Sequence, residues 1–444
     1  SACLVGSEMC IRDRAWKKCA HCQHLMKWEG LPNEEALQSW FIHRIEQFVN
    51  SKGRDIIGWD EILEGGLAPN ATVMSWRGEK GGIEAARQRH KVIMTPGKKC
   101  YLDYYQESPE FAPLAIGGFL PLDTVYNYNP LPAELTPEEQ AYIIGVQANI
   151  WGEYIQTPEY FEYMAFPRLL AMSEVQWTQP EHKDFESFAR RLDKEFERLD
   201  YCGVNACRNF YEVNQAGAWN KSQQTYEVTL NTFCPDADIY YAVNDSTVNT
   251  SSSLYETPIP LDEDATVYSA VYRDGKPLGK VTRESFAVNK ATGCDYTCNP
   301  EAGWEHLNKG FGLTDGRRGY ARDMRRWISF YQDTVQIVVE LKKPQKVKEV
   351  AFSSLWRPVN EIWPARAMSV SVSMDGQTFI PVGTKRLTYD FTLTEGTRFP
   401  ASLSFAETEA AFVRLELLSG GLCPKGYFHE GLQSELAIDE IEIY

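Results

Sequence analysis

The feature that most constrains this chain is a change of hydrophobic period near residue 213. Before that point, short apolar runs alternate with helix-length segments whose apolar residues recur every three to four positions. After it, apolar and polar residues alternate one by one. The first pattern belongs to βαβ units around a parallel sheet, the second to antiparallel sheets with one face in a core. Segments 56–59, 72–76, 91–95 and 145–151 read as four parallel strands, with helices at 33–53, 82–89, 159–176 and 183–200. Asn33 is placed to cap the first helix and Gly53 to end it. On that helix Leu37, Trp40, Phe41, Ile45, Phe48 and Val49 share one face. Thr136-Pro137-Glu138-Glu139 is a capping box with proline at the first helical position.

In the second half, Tyr226/Val228/Leu230, Ile239/Tyr241/Val243, Val335/Ile337/Val339/Leu341 and Val370/Val372 follow the strand period. Asp274-Gly275 and Asp375-Gly376 are hairpin signals. The polar, turn-rich stretch 288–303 divides this half into two β modules. The expected fold class is therefore α/β followed by all-β.

A formal net charge of −16 repels phosphate backbones, so nucleic acid is not an expected partner. No run of about 20 apolar residues is present to span a bilayer, and no signal peptide is visible. The eleven cysteines are scattered and odd in number, unlike a dense disulfide framework. Cys202/Cys207 and Cys294/Cys298 are close enough in sequence to bridge in an oxidising compartment. Cys19 and Cys22, with His24, supply half of a zinc ligand set. No second close pair follows, so a turn or a local disulfide is expected there and no metal is assigned.

In a (β/α) barrel, functional side chains sit at the C-terminal ends of strands. Here Trp59 and Trp76 end the first two strands, Tyr101 and Asp103 lie just beyond the third, and Trp151 and Glu153 end the fourth. Residues two apart in an extended segment point the same way, so Tyr101 with Asp103, and Trp151 with Glu153, can face one pocket. Aromatic walls with a few carboxylate acceptors suit a hydroxyl-rich ring. The alternative is that each Trp fills the barrel core. The adjacent acids Asp60 and Glu61 read as salt-bridge or capping groups of the following loop rather than catalysts.

From Trp16 to about Val213 the chain resembles the family 20 glycoside hydrolases, the β-N-acetylhexosaminidases, especially bacterial ones. The strings that carry the resemblance are IIGWDEILEG at 56–65, TVMSWRG at 72–78, YLD at 101–103, GVQANIWGE at 145–153 and YFEYMAFPRLLAMSEVQW at 160–177. The resemblance implies the C-terminal half of a (β/α)8 TIM barrel. It implies that Trp59, Trp76 and Trp151 wall the subsite of a terminal N-acetylhexosamine. Tyr101 would donate a hydrogen bond to the acetamido oxygen, and Asp103 and Glu153 would accept from sugar hydroxyls. The reaction implied is exo-acting, retaining and substrate-assisted, and it needs no cofactor.

The family's Asp-Glu pair belongs a few residues before Trp16, where this chain has SACLVGSEMCIRDR. Residues 1–14 are therefore expected to be a non-native segment joined to a truncated frame, with Glu8 a poor mimic of the acid. A sugar-binding Arg that the family supplies from the first half of the barrel is missing as well. Residues 15–213 would be a partial catalytic barrel and 214–295 a small fibronectin-III-like β-sandwich spacer. Residues 296–444 resemble coagulation factor 5/8 C-type (discoidin) modules, a galactose-binding-like jelly roll. That second likeness rests on Leu313-Thr314-Asp315-Gly316, Trp327, the run 370–376, Val413-Arg414-Leu415 and Ile438-Asp439-Glu440-Ile441. It implies glycan binding, with Trp356 and Trp363 as candidate platforms, and a structural calcium. The substrate class implies secretion to the periplasm or cell surface. The competing reading is a non-catalytic carbohydrate-binding protein on a degenerate barrel.

Overall fold

A computed structural model describes residues 15–300, 312–393, 396–427 and 430–444. The chain divides into two compact units, one reaching to Glu107 and resuming over Pro113–Cys207, the other formed by Ser108–Ala112 and Arg208–Tyr444. Residues 1–14, including Glu8, lie outside the described residues.

The first unit is built on four parallel strands, β1 (Ile57–Trp59), β2 (Thr72–Ser75), β3 (Val92–Met94) and β4 (Ile143–Val146), in the order β1-β2-β3-β4. Sequential order is that of a barrel wall; a doubly wound sheet reverses at a switch point. Helices α1 (Ala20–Glu29), α2 (Glu34–Asn50), α3 (Lys80–Arg87), α4 (Arg168–Trp177) and α5 (Phe185–Tyr201) accompany it. Val73, Val92 and Met94 are fully buried at the sheet centre. The α3 helix packs so closely on the sheet that a Cβ at Gly82 would lie 2.5 Å from the Met94 sulfur. The capping box at Thr136 forms as read, closing a single helical turn, Pro137–Gln140.

Three sequence expectations are corrected here. The fourth strand ends at Val146, short of 151; beyond it the chain bridges from Asn149 to Tyr101 as an isolated parallel contact. The expected helix 159–176 is two helices, because Pro167 lacks an N–H and its predecessor Phe166 is extended. The apolar face of α2 is only partly covered: Leu37 is buried, whereas Phe41, Ile45 and Phe48 are exposed. Both outer strands also carry exposed apolar residues, Ile57 at 58% on β1 and Ile144 at 54% on β4. Among the described residues each of these strands is paired on one side only.

In the second unit every pairing between its named strands is antiparallel. Strands β5 (Asn214–Asn220), β6 (Thr225–Asn231), β7 (Asp238–Val243), β8 (Ser253–Leu254), β9 (Ile259–Leu261), β10 (Ala265–Arg273), β11 (Lys276–Pro277) and β12 (Thr282–Phe286) form two sheets. One runs β5-β6-β9; the other runs β11-β10-β7-β8, with β12 also on β10. Tyr226, Val228 and Leu230 face the core, but the alternation on β7 fades and Val243 is exposed. Asp274 and Gly275 both take positive φ (51° and 73°) in the hairpin between β10 and β11.

The C-terminal strands are β13 (Asp295–Asn299), β14 (Ile328–Phe330), β15 (Thr334–Trp356), β16 (Ala367–Ser373), β17 (Ile380–Arg386), β18 (Thr397–Leu418), β19 (Leu436–Ile438) and β20 (Glu442–Ile443). They make one eight-stranded sheet, β14-β19-β15-β18-β16-β17, with β13 and β20 also on β15. The long strands β15 and β18 pair through two register shifts, which bend them. Val335, Ile337, Val339, Val370, Val372, Val413 and Leu415 lie in one buried cluster.

The Leu313–Gly316 turn is sewn to the chain's end. Glu440 accepts the N–H groups of Asp315 and Gly316 (3.0 and 2.9 Å), and Asp315 accepts those of Gly312 and Arg317 (2.8 and 3.0 Å). All four carboxylate oxygens are thereby committed to the backbone, so this pair does not fit an open calcium cage. No group of three His, Cys, Asp or Glu able to hold a metal occurs among the described residues. The nine described cysteines are thiols, so neither Cys202/Cys207 nor Cys294/Cys298 is bridged. Cys202 is exposed beyond α5 whereas Cys207 is buried, and the Cys294 thiol donates to the Lys290 carbonyl. Cys19 caps α1, its sulfur accepting the Cys22 N–H at 3.5 Å. No helix among the described residues is long and apolar enough to cross a membrane.

Candidate active site

Trp59 is the last residue of β1, and Trp76 directly follows β2. Tyr101 comes one helical turn (Gly97–Cys100) after β3, and Trp151 lies beyond β4. The last two loops are tied together: the Leu102 N–H donates to Asn149 O (2.7 Å) and the Asn149 N–H to Cys100 O (2.9 Å). The Asn149 side chain donates to the Thr95 hydroxyl at 2.5 Å and accepts from Gln147 at 2.7 Å.

This scaffold brings the four rings together. Trp76 stacks on Tyr101 at 6.4 Å between centroids, with planes 16° apart. Tyr101 lies 6.2 Å from Trp151, and Trp151 lies 5.9 Å from Trp59. The three indoles are half-buried and the phenol is buried. The Tyr101 hydroxyl has no hydrogen-bond partner among the described residues. Burial raises its pKa far above the ordinary tyrosine value, although Trp151 and Asn149 lie near enough to oppose this in part. It is thus a neutral donor at any working pH.

Asp103 is buried beside it, with one carboxylate oxygen unpartnered. Burial pushes its pKa up to about 6, against the pull of the backbone N–H groups of Asp103 and Trp151; Glu153 adds to the rise and Arg168 opposes it. Glu153 is exposed.

The acids after β1 hold the walls. Asp60 accepts the N–H groups of Trp76 and Arg77 (3.1 and 3.2 Å) and the Arg77 Nε at 2.6 Å. Glu61 accepts the Trp76 indole N–H on both carboxylate oxygens, each at 3.0 Å. Asp60 is therefore a loop anchor, as read from sequence, while the grip of Glu61 on an indole had no signal in the spacing.

Arg168 was also missed. Its fully buried guanidinium donates to the carbonyls of Leu102, Tyr104, Leu120 and Met164 at 2.5–2.9 Å, and so fixes the loop that carries Tyr101 and Asp103. Burial lowers its pKa to about 10, which leaves it charged at neutral pH. An arginine inside the apolar run at 165–172 was the available clue.

Trp356 and Trp363 do not form platforms. They are 5% and 8% exposed and pack with each other, Phe391 and Phe399 under the loops of the C-terminal module.

Residues 5–180 match the model of the glycosyl hydrolase family 20 catalytic domain, and residues 214–282 that of the chitobiase/β-hexosaminidase C-terminal domain. The first match takes in most of the stretch read as non-native. A β-hexosaminidase of Porphyromonas gingivalis is 54% identical over 202 residues, covering 45% of this chain and 26% of that protein. A β-hexosaminidase of Vibrio furnissii is 33% identical over 168 residues, covering 37% of this chain and 27% of that protein. A solved exo-β-N-acetylglucosaminidase of Vibrio harveyi, in complex with N-acetylglucosamine, is 34% identical over 43% of this chain and 30% of its own, with a TM-score of 0.40. The chain spans about a quarter of the length of these curated relatives. The first part of the chain is thus similar to a family 20 glycoside hydrolase catalytic domain, and the β-sheet region that follows is similar, over residues 214–282, to a β-hexosaminidase C-terminal domain.

Proposed function

We propose that this chain is part of an exo-acting β-N-acetylhexosaminidase that releases terminal GlcNAc or GalNAc from glycans by substrate-assisted retaining hydrolysis. The observation that carries this reading is the run of ring contacts Trp76–Tyr101–Trp151–Trp59, with centroids 5.9–6.4 Å apart, and the buried Tyr101 hydroxyl that has no hydrogen-bond partner among the described residues. A buried hydroxyl without a partner costs about 1–3 kcal/mol, which a ligand acceptor would offset. An acetamido oxygen is such an acceptor.

In the proposed reaction that oxygen attacks the anomeric carbon as the glycosidic bond breaks, giving an oxazolinium that water later opens. Tyr101 donates to the attacking oxygen and the indoles hold the ring and exclude water. Fixing the nucleophile in this way supplies a high effective molarity. Asp103 and Glu153 accept from ring hydroxyls. The leaving oxygen needs a proton from an acid, and the segment ahead of Trp16 holds no Asp-Glu pair to give it.

The chain alone is thus expected to bind the sugar without turning over an aryl N-acetylglucosaminide. With a strand ending in Asp-Glu supplied ahead of Trp16, aryl β-GlcNAc and β-GalNAc should be hydrolysed, with at least 100-fold loss in Tyr101→Phe. Preference for a plain β-galactoside would overturn the reading. The missing acid pair favours a second one, a non-catalytic carbohydrate-binding protein; an acid-supplied chain that binds GlcNAc but never cleaves would select it. The proposal also reads the middle sheets as a fibronectin-III-like spacer, the last as a discoidin-like jelly roll, and the site of action as the periplasm, cell surface or medium, where glycan ends are met.

A further inference from the structure

We propose that Cys19 and Cys22, at the start of α1, form a redox-active dithiol that exchanges with small-molecule disulfides. Spacing and backbone bring the two sulfurs together. Cys19 is the N-cap of α1, extended at φ −82° and ψ 111°, and Cys22 lies three residues on, in the first turn. Across three helical residues the Cα atoms lie about 5 Å apart, inside the range a disulfide spans. The Cys19 sulfur accepts the Cys22 N–H at 3.5 Å, and the Cys22 thiol donates to the same sulfur. The turn is also pinned from outside the pair: the Gln23 side chain donates to Trp16 O and to Glu34 Oε1, each at 3.0 Å. Closing the bridge therefore asks for rotation of the sulfurs rather than movement of the helix.

A sulfur is an unusual cap. Ser, Thr, Asp and Asn cap helices well because an oxygen accepts the free N–H groups, whereas sulfur is a weak acceptor. A cysteine there gains little for the helix, but its sulfur sits where N–H groups and the helix dipole favour the thiolate. The local charge has the same sign: Lys17, Lys18, His21 and His24 lie within five positions of Cys19, and residues 15–28 contain no Asp or Glu. The Cys22 N–H, and after it the Cys22 thiol, holds the Cys19 thiol below the ordinary cysteine value, while the bond to Cys19 raises that of Cys22. One sulfur is thus ready as nucleophile and the other is held in reserve, which is the division that stepwise exchange needs.

Both sulfurs can be reached. Cys19 and Cys22 are half-buried, and Ala20 and His21 between them are exposed. Cys100, Cys207, Cys234, Cys294 and Cys423 are buried. Among the described residues no third His, Cys, Asp or Glu joins the pair to make a metal site.

In the exchange, the Cys19 thiolate attacks one sulfur of a disulfide RSSR. A Cys19–S–S–R bond forms and RS⁻ leaves, taking up the proton that Cys19 had lost to water. Cys22 then gives up its proton and attacks the Cys19 sulfur. The Cys19–Cys22 bond forms, and the second RS⁻ leaves with the proton from Cys22. Two electrons pass from the pair to RSSR, which ends as two thiols. No residue of the four-ring site takes part, so this inference stands whether or not the chain is part of a hydrolase.

The test is peptide mass spectrometry on the full chain. Trypsin cutting after Lys18 and Lys27 isolates residues 19–27, which hold both cysteines and no other. The chain is equilibrated with excess oxidised glutathione, quenched in acid, alkylated and digested. The 19–27 peptide should appear without alkyl groups and lighter by two hydrogens, and dithiothreitol should restore the doubly alkylated form. Cys22→Ser should stop at a glutathione adduct on Cys19. Cys19→Ser keeps an oxygen to cap the helix, so its loss of reaction reports sulfur chemistry and not unfolding. Its adduct at Cys22 should form at least threefold more slowly than the Cys19 adduct of Cys22→Ser. At pH 7 Cys19 should also take up iodoacetamide at least threefold faster than the exposed Cys202. A 19–27 dithiol that survives excess oxidised glutathione, equal adduct rates in the two serine variants, or a Cys19 no faster than Cys202 would each overturn the proposal.

Discussion

Two groups of tryptophans met opposite fates in this molecule. Trp59 and Trp76 stand at strand ends of the parallel sheet and Trp151 in the loop beyond β4, all half-buried and linked by ring contacts that run through Tyr101. Trp356 and Trp363 also flank strands, yet they are packed among Phe391, Phe399 and each other. For Trp76 the difference lies in the polar handle. The Trp76 indole N–H is held by both oxygens of Glu61, whereas the N–H groups of Trp356 and Trp363 have no partner among the described residues. A ring whose only contributions are contact area and packing is core. A ring oriented by a buried carboxylate and left half-open is arranged to meet something. The lesson concerns anchoring, since aromatic content alone does not separate the two.

The largest effect should come from breaking that contrast. Trp356→Ala removes a buried indole and should lose about 3–5 kcal/mol in urea unfolding. Trp59→Ala should lose about 1 kcal/mol or less of stability while abolishing binding of N-acetylglucosamine. Equal destabilisation by the two variants would make the site rings core.

Next in size is pH. Asp103 is held at about 6, above the ~3.9 of an unfolded aspartate. The folded state therefore keeps a proton that the unfolded state releases between those values. The resulting stability is full below about pH 4 and is lost as pH rises to about 6, a fall of order 2 kcal/mol. Sugar binding should run the other way, strengthening from pH 5 to 7 as the carboxylate forms. Asp103→Asn should flatten both profiles, checked by unfolding and titration at each pH.

Glu61→Ala leaves the Trp76 N–H without its acceptor, at about 1–3 kcal/mol of stability, and should weaken N-acetylglucosamine binding through a looser wall. Glu61→Gln, which keeps one acceptor, should recover most of both. If Glu61→Gln is as poor as alanine, charge rather than orientation is what Glu61 supplies.

The same contrast marks how far the residues could be read before the structure. The change of period near 213, the four parallel strands and the Asp274-Gly275 hairpin follow from local rules, because side-chain period and φ preference act within a few residues. The convergence of Trp59, Trp76, Tyr101 and Trp151 was legible too, since strand ends of a barrel share one face. What escaped depends on partners distant in sequence. Arg168 meets carbonyls 48 to 66 residues away in three of its four bonds, and Glu61 meets an indole 15 residues on. The exposure of Phe41, Ile45 and Phe48 on α2 is likewise invisible to periodicity, which finds an apolar face and not what covers it.

The central claim is that the space between the four rings recognises an acetamido group. Titration of intrinsic fluorescence with N-acetylglucosamine, and with glucose as the same ring lacking that group, tests it most directly. N-acetylglucosamine should quench and bind, Tyr101→Phe should weaken it about tenfold (~1.4 kcal/mol), and glucose should bind no better than that variant. Equal affinity for the two sugars, or a Tyr101→Phe variant that binds as the parent does, would contradict it.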